Sequence, residues 1–247
     1  MSEVIMVASG KGGVGKTTLC AMLGIQFARM DKTVVMLDTD FGLRNLDLYF
    51  HLENKIIYNL VDVLSGVCSY RQALLPLNET RTLYIMPGSK NYDFKLQEEA
   101  FLALLTKLKQ QFDIILIDTP AGITPVHQTM LPWMKQCLLV TTLTETSLSD
   151  ALTFEHILEQ NNIRTRLVFN QVNRSLGSRK QFADLQDFGR QIYRAESVCI
   201  IPRLQERNLS MMSLPMNHKP VTSLCKMLLQ QPEMEIKESR LCFERTN

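Results

Sequence analysis

The feature that most limits what this chain can become is the segment Gly10-Lys11-Gly12-Gly13-Val14-Gly15-Lys16-Thr17-Thr18. It lies between an apolar run, Val4–Ala8, and a stretch of helical spacing, Leu19–Met30. Gly10, Gly15, Lys16 and Thr17 satisfy the pattern G-x-x-x-x-G-K-[ST], whose required setting is a strand before and a helix after. The glycines let the backbone wrap an anion and aim N–H groups at it, and the helix start adds the positive end of its dipole. This is the form of a phosphate-binding loop. Lys16 is placed to reach the β- and γ-phosphates of a nucleotide, and the Thr17 hydroxyl to ligate Mg²⁺.

The rest of the chain keeps the same rhythm. Short apolar runs at Thr33–Leu37, Leu83–Met86, Ile114–Ile117, Leu138–Thr142, Leu167–Phe169 and Val198–Ile201 alternate with helical spacing at Glu98–Gln111 and Leu148–Gln160. Ile114-Ile115-Leu116-Ile117 is apolar throughout, as a strand covered on both faces must be. The expected fold is α/β: a doubly wound, mostly parallel sheet with helices on both faces. A chain of 247 residues suits one such unit, expected over residues 1–231. Beyond Pro232 the chain turns charged and loses periodicity, so 232–247 read as a C-terminal tail.

Charge and cysteine usage narrow the partners. With 27 Lys+Arg against 25 Asp+Glu, no global field favours nucleic acid. The one basic concentration, from Gln171 through Ser197 with Arg174, Arg179, Lys180, Arg190 and Arg194, reads as a surface helix with flanking loops. The six cysteines are scattered with no C-x-x-C pair, so they read as reduced thiols of a cytosolic protein. No apolar run approaches the roughly 20 residues of a membrane span, and the N-terminus lacks a leader pattern. The expectation is a protein neither secreted nor spanning a membrane.

Two further strand ends carry acids. Val34-Val35-Met36-Leu37 runs into Asp38-Thr39-Asp40, delivering carboxylates at the edge where α/β sheets bind ligands. Ile114–Ile117 ends in Asp118, the form of a strand whose carboxylate binds Mg²⁺ directly or through water. Gly122, after Pro120, allows a backbone amide to move against a terminal phosphate.

Lys11-Gly12-Gly13-Val14-Gly15-Lys16-Thr17-Thr18 resembles the deviant Walker A motif of the MinD/ParA class of P-loop ATPases. Asp38-Thr39-Asp40-Phe41-Gly42-Leu43-Arg44-Asn45-Leu46-Asp47 is similar to the first switch of its septum-positioning branch, and Asp118-Thr119-Pro120-Ala121-Gly122 to the second. Asn59–Leu64 and Gln72–Leu74 extend the likeness. The resemblance implies an ATP hydrolase using ATP and Mg²⁺ that forms a homodimer with ATP, Lys11 reaching across to the partner's nucleotide. It implies that Asp40 orients or deprotonates the attacking water, that Asp38 lies near the Mg²⁺ shell, and that Asn170 reads the adenine edge. It also implies docking at the inner face of the cell membrane, recruitment of a MinC-like division inhibitor, and discharge by a MinE-like or equivalent regulator.

Some positions admit two readings. Asn170 is followed by Gln171 where the class has Arg, and Ile201-Pro202 by Arg203-Leu204 where it has Glu-Asp, so Asn170 also fits a turn-forming residue. Asp150 fits a partner-binding residue or a first-turn acid favoured by the helix dipole. The tail sets Glu233, Glu235, Glu238 and Glu244 against Lys237, Arg240 and Arg245, with a short apolar Leu241-Cys242-Phe243, and fits a membrane-surface helix or a disordered end.

Three other classes share parts of the pattern: a FlhG-like flagellar-number ATPase, a ParA-type cargo-positioning ATPase and a non-hydrolysing nucleotide-binding scaffold. The intact Lys16, Thr17, Asp40 and Asp118 argue against the last. An iron protein of the nitrogenase type would need cysteines at Asp118–Pro125, and a tyrosine autokinase would need tyrosines in the tail; both are lacking.

Overall fold

The computed structural model describes residues 2–79, 81–173, 179–203 and 219–229. The tail at 232–247, Arg174 and Leu204 lie outside them. Eight strands form one sheet in the order β3-β4-β2-β5-β1-β6-β7-β8. They are β1 (Glu3–Ser9), β2 (Val34–Asp38), β3 (Leu75–Pro76), β4 (Leu83–Met86), β5 (Ile114–Ala121), β6 (Gln136–Thr141), β7 (Arg164–Val172) and β8 (Ser197–Pro202). Every pairing is parallel except β3 with β4 at the edge. The described helices are α1 (Lys16–Arg29), α2 (Leu60–Leu64), α3 (Tyr70–Ala73), α4 (Glu98–Lys109), α5 (Pro125–Met130), α6 (Glu145–Gln160), α7 (Arg179–Tyr193) and α8 (Lys219–Leu229).

Strand alternation divides the core. Ile5, Val7, Val34, Met36, Ile114, Leu116, Leu138 and Val140 face α1 and α8, meeting Leu19, Leu23, Phe27, Leu224 and Cys225. Val4, Met6, Val35, Leu37, Ile115, Ile117 and Leu139 face the other way, onto Phe101, Leu104 and Leu108 of α4 and Ala151, Phe154 and Leu158 of α6. Since successive side chains point to opposite faces, only runs apolar at every position can fill both layers. A buried Leu or Phe in either layer contributes about 1.5–3 kcal/mol.

The expected runs all appear as strands, Leu83–Met86 with the same bounds, Thr33–Leu37 shifted by one residue and the others longer, and the doubly wound sheet with helices on both faces is present. Part of the stretch from Gln171 through Ser197 departs from expectation. Gln171 and Val172 finish β7, Ser197 opens β8, and the helix occupies Arg179–Tyr193. On that helix Gly189 and Tyr193 are buried and Arg190 is exposed. Helix α6 begins three residues before the expected Leu148, because the Thr144 side chain caps it by accepting from the Ser147 N–H. Among the described residues no helix is long and apolar enough to cross a membrane.

Candidate functional site

Because β2, β5 and β1 are neighbours, their carboxyl ends stand side by side. Asp38 ends β2 in register with Asp118 of β5, which in turn pairs with Val7 of β1. A register shift between Val7 and Ser9 follows, and the Gly122 N–H donates to the Ser9 carbonyl at 2.8 Å. The residue expected to move against a terminal phosphate is thus tied to the strand that launches the loop.

The loop needs glycine for two distinct reasons. At Gly15 the backbone is left-handed, φ 86°, and a Cβ there would lie 2.5 Å from Asn170 Nδ2. At Gly10 a Cβ would lie 2.4 Å from the carbonyl carbon of Asp150, so the loop lies directly on the first turns of α6. The Leu19 N–H donates to the Gly15 carbonyl, opening the helical ladder and leaving the amides of Lys16, Thr17 and Thr18 without an intrahelical partner. Those amides and the helix dipole suit an anion.

Below the loop lies a dense charge cluster. Lys16 is 6% exposed, and its ammonium donates to Asp118 Oδ1 at 2.8 Å. The Thr17 hydroxyl bonds the same carboxylate, while Asp118 Oδ2 has no hydrogen-bond partner among the described residues. Asp38 is fully buried and accepts the Asp40 N–H at 3.0 Å and the Leu46 N–H at 3.1 Å. Burial, and then the nearby Asp118 carboxylate, push its carboxyl up to about 7. Burial also raises Asp118 and Asp40, with the Lys16 charge opposing both.

Among the described residues three buried carboxylates therefore share one ammonium, a balance that a cation would correct. Among the described residues no three His, Cys, Asp or Glu converge as a self-sufficient metal cage. Mg²⁺ keeps waters and is bound by one or two carboxylates together with substrate phosphates, and the Asp38 and Asp118 carboxylates suit it. Thr17, Asp38 and Asp118 are the groups that would hold it.

Other expected site residues take definite positions. Lys11 is exposed, and its ammonium donates to Thr146 Oγ1 at 2.7 Å in the first turn of α6. Asn170 Nδ2 donates to the Val14 carbonyl at 2.8 Å and Gln171 Nε2 to the Gly13 carbonyl at 3.1 Å, so both amides brace the loop. The Asp150 side chain is exposed on α6. Pro120 and Gly122 lie half-buried at the end of β5 and just after it.

Sequence reasoning missed two residues near the site. Tyr49, in a short 3-10 turn (Leu48–Phe50), pairs its hydroxyl with that of Thr18. His127, on α5, is 1% exposed; its ring stands edge-on to Phe154 of α6, and burial pushes it down to about 4. Neither belongs to a motif. The histidine's only local sign is the Thr124-x-x-His127 spacing, which closes a capping box at the start of α5.

Comparison with known proteins agrees with this geometry. Residues 2–167 match the family described as AAA domain. The septum site-determining protein MinD of Bacillus subtilis (strain 168) is 40% identical over 191 residues, 76% of this chain and 71% of that one. Its counterpart in Synechocystis sp. is 36% identical over 189 residues, with the same coverage of 76% and 71%. Among solved structures, the MinC:MinD cell division protein complex of Aquifex aeolicus superposes with a TM-score of 0.80 at 28% identity. That match covers 93% of this chain and 96% of the other.

Proposed function

The chain belongs to the MinD family of P-loop ATPases, and on that premise we propose that it binds ATP·Mg²⁺, closes into an ATP-dependent homodimer and docks on the inner face of the cell membrane. There it takes part in placing the division septum with a MinC-like inhibitor and a MinE-like or equivalent regulator. The observation that carries this reading is the disposition of the two loop lysines. Lys16 is buried against Asp118, whereas Lys11 points out along the surface to Thr146. One lysine suffices for the β/γ-phosphates of its own subunit. An exposed second one meets phosphate across an interface, where a cation supplied by the partner stabilises transferring phosphate as an arginine finger does.

In this reading Lys16 and the free amides of the loop hold the phosphates. Asp40, continuous with the β2 strand end and facing Lys16, positions the attacking water. Thr17, Asp38 and Asp118 would hold Mg²⁺, which would supply neutralisation of the phosphate charge when bound. Asn170, whose amide braces Val14, is the candidate reader of the adenine edge. The exposed Asp150 is the candidate contact for the regulator or inhibitor. The segment 232–247 is the candidate membrane contact.

The test uses Asp40→Ala, expected to bind ATP without turning it over. Saturated with ATP it should scatter light as a dimer and co-sediment with anionic liposomes; with ADP it should do neither. Adding Lys11→Ala should return the monomer and release the liposomes. A double variant still dimeric with ATP would remove Lys11 from the interface and overturn this reading.

A further inference from the structure

The bond between Tyr49 and Thr18 joins two segments that the phosphate chemistry treats separately. Thr18 lies in the first turn of α1, one residue beyond the Thr17 hydroxyl that meets Asp118. Its amide is among those left for an anion, and its side-chain hydroxyl sits on the same turn. Tyr49 arrives from the segment that starts at Asp40. That segment is pinned on both sides of the tyrosine. The Leu46 N–H is held by Asp38 Oδ2 at 3.1 Å, and Leu46 and Leu52 are buried in the core layer beneath α1. Beside them Arg44 pairs with the buried Asp47 at 3.2 Å. The phenol hydroxyl is therefore delivered to Thr18 by a fixed piece of backbone.

A threonine hydroxyl has one hydrogen to give and two lone pairs, and a phenol O–H is the stronger donor of the pair. The favoured arrangement has Tyr49 donating to Thr18 Oγ1. This leaves the threonine hydrogen free, and the donated bond polarises it further. A hydroxyl on the first turn of α1 with a hydrogen to spare and an oriented rotor is a donor for a phosphate oxygen, and charge-assisted bonds of this kind are among the stronger ones.

The geometry points to Tyr49 as a positioning residue of the nucleotide site: it holds the Thr18 hydroxyl as a donor to the phosphate chain and ties that donor to the segment carrying Asp40. This inference rests on the nucleotide-binding reading above. It adds that phosphate occupancy and the placement of the Asp40 segment are linked through one hydroxyl pair.

The experiment is titration calorimetry of the full chain with ADP·Mg²⁺. Tyr49→Phe is made in three backgrounds: wild type, Thr18→Ser, which keeps a hydroxyl, and Thr18→Val, which removes it. Loss of one such bond is expected to weaken ADP binding about fivefold in the first two backgrounds. It should have no further effect in the third. Thermal melts without nucleotide check that each variant is folded. An equal loss in all three backgrounds, or none in the first two, overturns the inference. Failure of the wild-type protein itself to bind ADP·Mg²⁺ would instead strike the nucleotide reading on which it rests.

Discussion

At the amino edge of the sheet, Arg166 of β7 is 3% exposed, and its guanidinium donates to Gln136 Oε1 at 2.7 Å. Gln136 passes a bond on to Glu3 Oε2 at 2.9 Å, and Glu196 lies 3.9 Å from the other guanidinium nitrogen. At the carboxyl edge of the same strands, Asp38, Asp40 and Asp118 are buried around the single Lys16, and one oxygen of Asp118 has no hydrogen-bond partner among the described residues. One edge closes its charges on side chains of its own. The other keeps, among the described residues, an excess of negative charge that a bound cation would balance. Buried ionic groups of the first kind hold a structure together; those of the second kind cost stability and mark a site.

The largest expected effect removes the buried ammonium that faces the carboxylates of the carboxyl edge. Lys16→Ala takes away the buried ammonium that meets the β/γ-phosphates and leaves the three carboxylates facing the anion unopposed. Detectable ATP binding in calorimetry should disappear, a loss of at least a hundredfold, or about 3 kcal/mol. Tight binding by this variant would mean that the phosphates are held elsewhere.

At the opposite edge the same kind of change should act on the fold and not on the ligand. Arg166→Leu strips the partner from Gln136 and leaves Glu196 without its nearby cation. Removing one member of a buried polar network costs about 3 kcal/mol. For a chain of this length that is roughly 6–12 °C in melting temperature, with ATP affinity of the surviving folded protein retained. A weakened ATP affinity at permissive temperature would show that the two edges are coupled and that the contrast between them is wrong.

Much of the carboxyl edge was legible because phosphate chemistry imposes a local pattern. Gly10, Gly15, Lys16 and Thr17 stand within eight residues, and Asp38 and Asp118 each follow an apolar run that could only be a covered strand. The amino edge was not legible. Glu3, Gln136, Arg166 and Glu196 are far apart in sequence and meet only through the strand order β1-β6-β7-β8, which local pattern does not reveal. The two-residue β3 escaped for another reason: Leu75-Pro76 is too short to show alternation, and proline suits only an edge position. Tyr49 was invisible in a third way, since its meaning comes from the pinned segment that brings it to Thr18.

The smallest effect, and the most discriminating, is Asp38→Asn without nucleotide or Mg²⁺. Asp38 is held near 7 in the folded chain against about 3.9 unfolded, so between those values the folded protein binds more protons than the unfolded one. Stability then falls as pH rises from about 4 to 7, and the full penalty of the buried charge is present above 7. Asparagine carries no charge but keeps an oxygen for only one of the Asp40 and Leu46 amides, which bond different oxygens of the aspartate. At pH 8 the variant should therefore melt higher than wild type, by on the order of 2 kcal/mol after allowing for a lost hydrogen bond. The gap should shrink toward pH 5, where the wild-type carboxyl is protonated. A variant less stable than wild type at pH 8 would mean that this carboxylate is already compensated within the chain. The carboxyl edge would then be closed like the amino edge, and the charge argument for a cation there would fail.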